Sequence, residues 1–205
     1  LSYREFVESI RVPPGREASW RDFAGWFARL RQTFREFDGH QVFEEIRGVL
    51  AASAGGVLSR DDYLALGVRQ SIFPVDQRDR LYDLFEKYRG WLAEAKLYDL
   101  NLVAQDWQAL AAPRYDFVVI DEVQDITTVQ LALVLRTLKR PGHFLLCGDS
   151  NQIVHPNFFS WSQVKSLFWK DQKLAERQEL RVLTANFRNG LEATRVANQL
   201  LKIKQ

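Results

Sequence analysis

The chain has 205 residues, 46% of them hydrophobic and 26% charged, with a net charge of +2. That is enough for one sizeable core, or for one core and a smaller satellite domain, and a globular protein is expected. No apolar stretch reaches the length of a membrane span, no signal peptide opens the chain, and one cysteine, Cys147, cannot form an internal disulfide, so a cytoplasmic protein without membrane partners is expected.

In chain order, residues 1–112 read as a mostly α-helical subdomain. Phe23, Trp26, Phe27, Leu30, Phe34 and Phe37 recur at spacings of three and four and paint one helix face. Val42, Phe43, Ile46, Val49 and Leu50 repeat the pattern, and Ala54-Gly55-Gly56 breaks it. Ser59-Arg60-Asp61-Asp62 has the form of a capping box. Pro74 ends the segment after it, and Asp76 is the expected cap of the next helix. Leu81, Leu84, Phe85, Tyr88, Trp91, Leu92 and Ala95 form the strongest helical stripe, and these aromatics are read as core.

The period changes after Pro113. Phe117-Val118-Val119-Ile120 and Phe144-Leu145-Leu146-Cys147 are short apolar runs, with a helical pattern of Leu131, Val134, Leu135 and Leu138 between them. Strand, helix, strand at this spacing predicts a crossover unit with a parallel sheet. Leu180 to Leu183 is a shorter third candidate strand, and a helix carrying Ala193, Val196, Ala197 and Leu200 on one face closes the chain. The expected fold is therefore α/β: residues 113–205 as a partial parallel sheet with helices, preceded by the helical residues 1–112. Charge divides along the same line, with 15 Lys and Arg against 17 Asp and Glu before residue 113, and 13 against 9 after it. A mildly basic second half is compatible with a phosphate-bearing partner and equally with an ordinary solvated surface. Cys147, in an apolar run, is expected to be a buried, inert thiol.

Three segments carry chemistry. Asp121 and Glu122 follow an apolar run, where open parallel sheets bind ligands. A carboxylate there can hold Mg²⁺ directly or through water, and a second can orient and deprotonate an attacking water. Gly148 and Asp149 leave the next candidate strand, and Gln152 comes three positions later. A glutamine amide both donates and accepts, which suits it to contact a terminal phosphate. Arg188, after the third candidate strand, has the guanidinium that clamps phosphates.

In this order and spacing, Asp121-Glu122-Val123-Gln124-Asp125 resembles the Walker B signature, motif II, of the UvrD/Rep family of superfamily 1 DNA helicases. Gly148-Asp149-Ser150-Asn151-Gln152-Ile153 resembles its motif III, and Asn186-Phe187-Arg188-Asn189 its motif IV. The resemblance covers about residues 98–200. It implies a partial RecA-like, P-loop-type motor domain 1A over 113–205, and a helical 1B-like insertion over 1–112. It also implies ATP and Mg²⁺ as cofactors, and single-stranded or partly duplex DNA as partner, with RNA not distinguished. By the same resemblance Asp121 ligates Mg²⁺, Glu122 activates water, and Gln152 and Arg188 contact the γ-phosphate. Gln124, Asp125 and Asp149 are expected in the cofactor site, with Gln124 and Asp125 linking motif II to its neighbours.

The family also places a base-stacking aromatic after motif III. Here His155-Pro156-Asn157-Phe158-Phe159-Ser160-Trp161 departs from the usual Tyr-Gly-Trp-Arg-Gly pattern. Phe158, Phe159 and Trp161 are candidates to stack on bases or, alternatively, to pack under a helix at Val164, Leu167 and Phe168. No Gly-x-x-x-x-Gly-Lys-Ser/Thr loop occurs in the sequence, so the isolated chain is expected to be inactive. The start at Leu1 and the absence of methionine predict a segment of a longer helicase, whose remaining chain is then a partner. A catalytically degenerate module acting in protein interaction is the alternative.

Overall fold

Polar caps decide where the helices begin. In the computed structural model, which describes residues 1–149 with Gly190, Glu192, Arg195, Val196 and Gln199, helix α1 (Tyr3–Ile10) starts at a capping box. The Ser2 N–H donates to Glu5 Oε2 at 2.7 Å, and the Glu5 N–H returns to Ser2 Oγ at 3.3 Å. Ser19 and Asp22 repeat the device at α2 (Trp20–Leu30). Arg16 adds a bidentate pair to Asp22 at 2.7 Å, and these bonds hold that carboxyl well below the usual carboxylate range.

Helix α2 ends earlier than its apolar spacing predicts. Thr33 and Phe34 turn back onto the Leu30 carbonyl, and Phe34 and Phe37 reach the core from this turn. Asp38 caps α3 (Gly39–Glu45), which widens into a π-helical turn over Ile46–Leu50. Ser59 caps α4 (Arg60–Leu64) by accepting the Asp62 N–H at 3.2 Å. Pro74 itself occupies the cap position of α5 (Val75–Glu94), so Asp76 lies within the first turn instead of capping it.

Most of the buried apolar residues between Ala18 and Leu92 form one aromatic-rich core. Phe23 and Phe43 lie 4.9 Å apart, Trp26 stacks on Trp91 at 5.1 Å, and Phe23 and Tyr88 meet edge-on at 5.8 Å. Each fully buried Phe or Leu contributes about 1.5–3 kcal/mol relative to exposure. The chain enters this body at β1 (Arg16–Glu17) and leaves it at β2 (Leu97–Tyr98), which pair in parallel. Gly15, at φ +94°, makes the crossing possible, because a Cβ there would collide with the Lys96 carbonyl.

A second core lies outside that neck. Phe6 and Val7 of α1 pack with Val103, Ala104 and Trp107 of α6 (Leu100–Asp106) and its following turn, and with Val129, Leu133 and Val134 of α7 (Thr128–Arg136). The strands β3 (Val118–Ile120) and β4 (Phe144–Leu146) pair in parallel around α7, as strand–helix–strand spacing predicts. Val118 and Ile120 pack inward, whereas Val119 and Leu145, opposite one another, are 61% and 52% exposed. The described residues are thus mixed helix and short parallel strands, an α/β arrangement.

Three elements leave little periodic signal and emerge only here: α1, the neck pairing and α6. Cys147 is half-buried and not fully enclosed. Near the C-terminus Glu192, Arg195, Val196 and Gln199 are helical, with Val196 exposed to solvent. The third candidate strand, Leu180 to Leu183, lies outside the described residues. Among the described residues no helix is long and apolar enough to cross a membrane.

Candidate functional site

Register brings two loops together. Ile120 is opposite Leu146, so β3 and β4 end level and their following loops lie side by side. The Cys147 N–H donates to the Ile120 carbonyl at 2.8 Å, and the Val123 N–H donates to the Cys147 carbonyl at 2.9 Å. Open α/β sheets bind ligands outside the carboxyl ends of their parallel strands, which is where these two loops lie.

Asp121 and Glu122 stand exposed at this edge. The Glu122 N–H donates to Asp121 Oδ1 at 3.0 Å. Glu122 has φ +51°, a left-handed conformation uncommon for a residue with a side chain. A turn of 3₁₀ helix over Val123–Asp125 comes next, which buries Val123 and Gln124 and leaves Asp125 exposed.

Gln124 bridges the loops. Its Nε2 donates to Glu122 Oε2 at 2.6 Å, and its Oε1 accepts the Asp149 N–H at 3.1 Å. A Cβ on Gly148 would lie 2.5 Å from Gln124 Oε1 and 2.8 Å from Val123 Cγ1. The glycine is therefore needed for close approach. The structure brings Glu122, Gln124 and Asp149 into one hydrogen-bonded group with Asp121 adjoining. Gln152, Phe158, Phe159, Trp161 and Arg188 lie outside the described residues.

A polar joint that sequence reasoning missed supports the acidic loop from behind. Asn101, 1% exposed, donates from Nδ2 to the Arg47 carbonyl at 2.7 Å. Its Oδ1 accepts from Thr127 Oγ1 and from Gln130 Nε2, both at 2.8 Å. Thr128 Oγ1 and the Val129 N–H both reach the Ala52 carbonyl, at 2.7 and 2.9 Å, and Gln105 Nε2 reaches the Ser53 carbonyl at 2.6 Å. Asp99, which caps α6, accepts from the Tyr88 hydroxyl at 3.2 Å. The traces of this joint in sequence are the acidic-apolar segment Tyr98-Asp99-Leu100 and the capping-box pair Thr127 and Gln130.

Among the described residues no three His, Cys, Asp or Glu side chains converge as a metal cage. An exposed carboxylate such as that of Asp121 is of the type Mg²⁺ takes, since the ion keeps several waters and uses one or two carboxylates alongside substrate phosphates.

A paired acid stands at a parallel strand end with a second loop bonded to it, at the edge where open α/β sheets bind ligands. The model of the UvrD/REP helicase N-terminal domain family matches residues 22–163, and the chain belongs to that family. The match includes both the helical body and the β3–β4 unit. The chain is also similar to the human TPR and ankyrin repeat-containing protein 1, with 26% identity over 141 residues. That alignment covers 62% of this chain and 5% of the human protein, so the chain spans a small part of that relative. No solved structure matches the chain.

Proposed function

We propose that the chain is the middle of the first motor domain of an ATP-dependent DNA helicase or translocase of the UvrD/Rep type. The observation that carries this reading is the level ending of β3 and β4, with Asp121, Glu122 and Asp149 at one edge, in a chain of this family. In this reading β3, α7 and β4 are part of a RecA-like domain 1A, and the aromatic-cored body is the 1B-like insertion. The proposed insertion runs between the neck strands, because α1 and α6 pack with the sheet.

Asp121 would hold Mg²⁺ through oxygen, and the ion would supply charge neutralisation at the phosphates. Glu122 accepts a proton from the attacking water, and its exposed position leaves that water access. Asp125 supports the turn that presents Glu122. Gln152 and Arg188 sense and clamp the γ-phosphate, and one of Phe158, Phe159 and Trp161 stacks on single-stranded DNA. The phosphate-binding loop is not among the 205 residues, so ATP turnover belongs to the intact protein.

The test is Mg²⁺-dependent ATP hydrolysis by the full-length protein with and without single-stranded DNA. Glu122→Gln should lower kcat by about 10²–10⁴-fold, the usual share of a general base. Turnover unchanged by Glu122→Gln, or a full-length protein that binds no nucleotide, would overturn the reading. Matched DNA and RNA oligonucleotides in the same assay identify the strand it prefers.

A further inference from the structure

We infer that Gln124 is a positioning residue: it fixes the Glu122 carboxylate against the loop leaving β4, and does not itself hold nucleotide. The inference rests on the proposed hydrolytic reading for its kinetic consequence, but not for its geometry.

Three observations carry it. Gln124 is 7% exposed, so its amide does not face a ligand crevice. Both ends of that amide are occupied, Nε2 on Glu122 at 2.6 Å and Oε1 on the Asp149 N–H at 3.1 Å. Gly148 leaves the space that Oε1 fills.

The chemistry fixes the orientation of the amide. A carboxylate only accepts and a backbone N–H only donates, so the NH₂ must face Glu122 and the carbonyl must face Asp149. Glutamine has both groups at this reach. Glutamate at the same position would keep the bond to Asp149 but set a second anion against Glu122. Leucine would break both bonds. The link also gives motion at the β4 exit a direct route to the acid. If the Asp149 backbone shifts, Oε1 loses its donor and the grip on Glu122 slackens.

Two measurements test this. In the 205-residue chain, amide hydrogen exchange at Asp149 should accelerate in Gln124→Leu and Gly148→Ala, and stay near the parent rate in Gln124→Glu. Unchanged exchange in both Gln124→Leu and Gly148→Ala would overturn the bridge. In the full-length protein, Gln124→Leu and Gln124→Glu should each lower kcat about 10–100-fold, with affinity for a fluorescent ATP analogue within about twofold. Glu122→Gln combined with Gln124→Leu should be no slower than Glu122→Gln alone, because one residue acts only through the other. A Gln124→Leu protein that loses nucleotide affinity about tenfold at unchanged kcat would make Gln124 a nucleotide ligand and overturn the assignment. Additive losses in the double variant would overturn it too. A parent protein that hydrolyses no ATP counts against the motor reading, and the exchange rates then decide the bridge by themselves.

Discussion

Removing the Asn101 side chain should loosen the helical body from the acidic loop. The carboxamide makes three hydrogen bonds of 2.7–2.8 Å, to the Arg47 carbonyl, Thr127 Oγ1 and Gln130 Nε2. Thr127 and Gln130 are 8% and 6% exposed, so water cannot readily replace what they lose. At about 0.5–1.5 kcal/mol net for each bond, and more for partners left unsatisfied, Asn101→Ala should cost about 3 kcal/mol. Urea unfolding followed by tryptophan fluorescence reads this directly. Trp107 reports the sheet-side core, and Trp26 and Trp91 report the helical body. An Asn101→Ala cost under about 1 kcal/mol would show that the three bonds contribute nothing beyond their replacement by water, and that the carboxamide does not anchor the body.

Gly15→Ala should destabilise the chain by about 2–3 kcal/mol in thermal unfolding, because its φ of +94° and the nearby Lys96 carbonyl both oppose a Cβ. Gly90→Ala, in α5 with no described residue near the added methyl group, should instead stabilise by about 1 kcal/mol, and a loss there would show that α5 is not an ordinary helix at that point. Tyr3→Phe should raise stability by about 1 kcal/mol, because the buried Tyr3 hydroxyl has no partner among the described residues; destabilisation would reveal a bond outside them. Burial raises the Glu45 carboxyl above its ordinary value despite bonds from Ser71, the Ile72 N–H and Tyr63. The folded chain then binds that proton more tightly than the unfolded chain, so this group's contribution to stability is fully present below the ordinary glutamate range and is lost as pH climbs through the raised value. The melting temperature of the parent relative to Glu45→Gln should therefore drop as pH rises from about 4, and a rise relative to that variant would contradict the assignment.

Where one physical signal dominates, the sequence is readable. The stripe from Leu81 to Leu92 is a helix face because 3.6-residue periodicity and burial coincide in α5. The β3–α7–β4 crossover is readable because short apolar runs flank a helical period. The acids at Asp121 and Glu122 are legible as a strand-end pair, and the resemblance has Gln124 linking motif II to its neighbours, but the group it reaches, the Asp149 N–H, is not legible. Residues 25 positions apart meet there, and only the register of β3 on β4 brings them together. Helix α1 escapes notice because eight residues with two buried apolar side chains make too short a pattern. The extent of α2 is over-read for the opposite reason: Phe34 and Phe37 fit the helical spacing but reach the same core from a turn. Asn101 is the hardest to foresee, since a buried carboxamide inside a short apolar helix gives no periodic signal and its partners come from residues 47, 127 and 130.

The neck and the polar joint together set how the two cores can move. Two strands of two residues each would by themselves permit the helical body to swing about Gly15 and Lys96. The joint removes that freedom. It ties the turn after α3 to α6 through Asn101 and Gln105, and to the start of α7 through Thr128 and Val129. Helix α7 begins at Thr128, directly after the turn that carries Gln124, so the anchor reaches the acidic loop through only a few residues. Rotation of the helical body would have to break several of these bonds at once and leave buried polar groups unsatisfied. The loop leaving β4 is tied to the acidic loop by the Cys147 N–H on the Ile120 carbonyl, by the Val123 N–H on the Cys147 carbonyl and by Gln124 on the Asp149 N–H. Of these ties Gln124 is the one that also holds Glu122, so it is the side chain through which a shift of the Asp149 backbone reaches the acid.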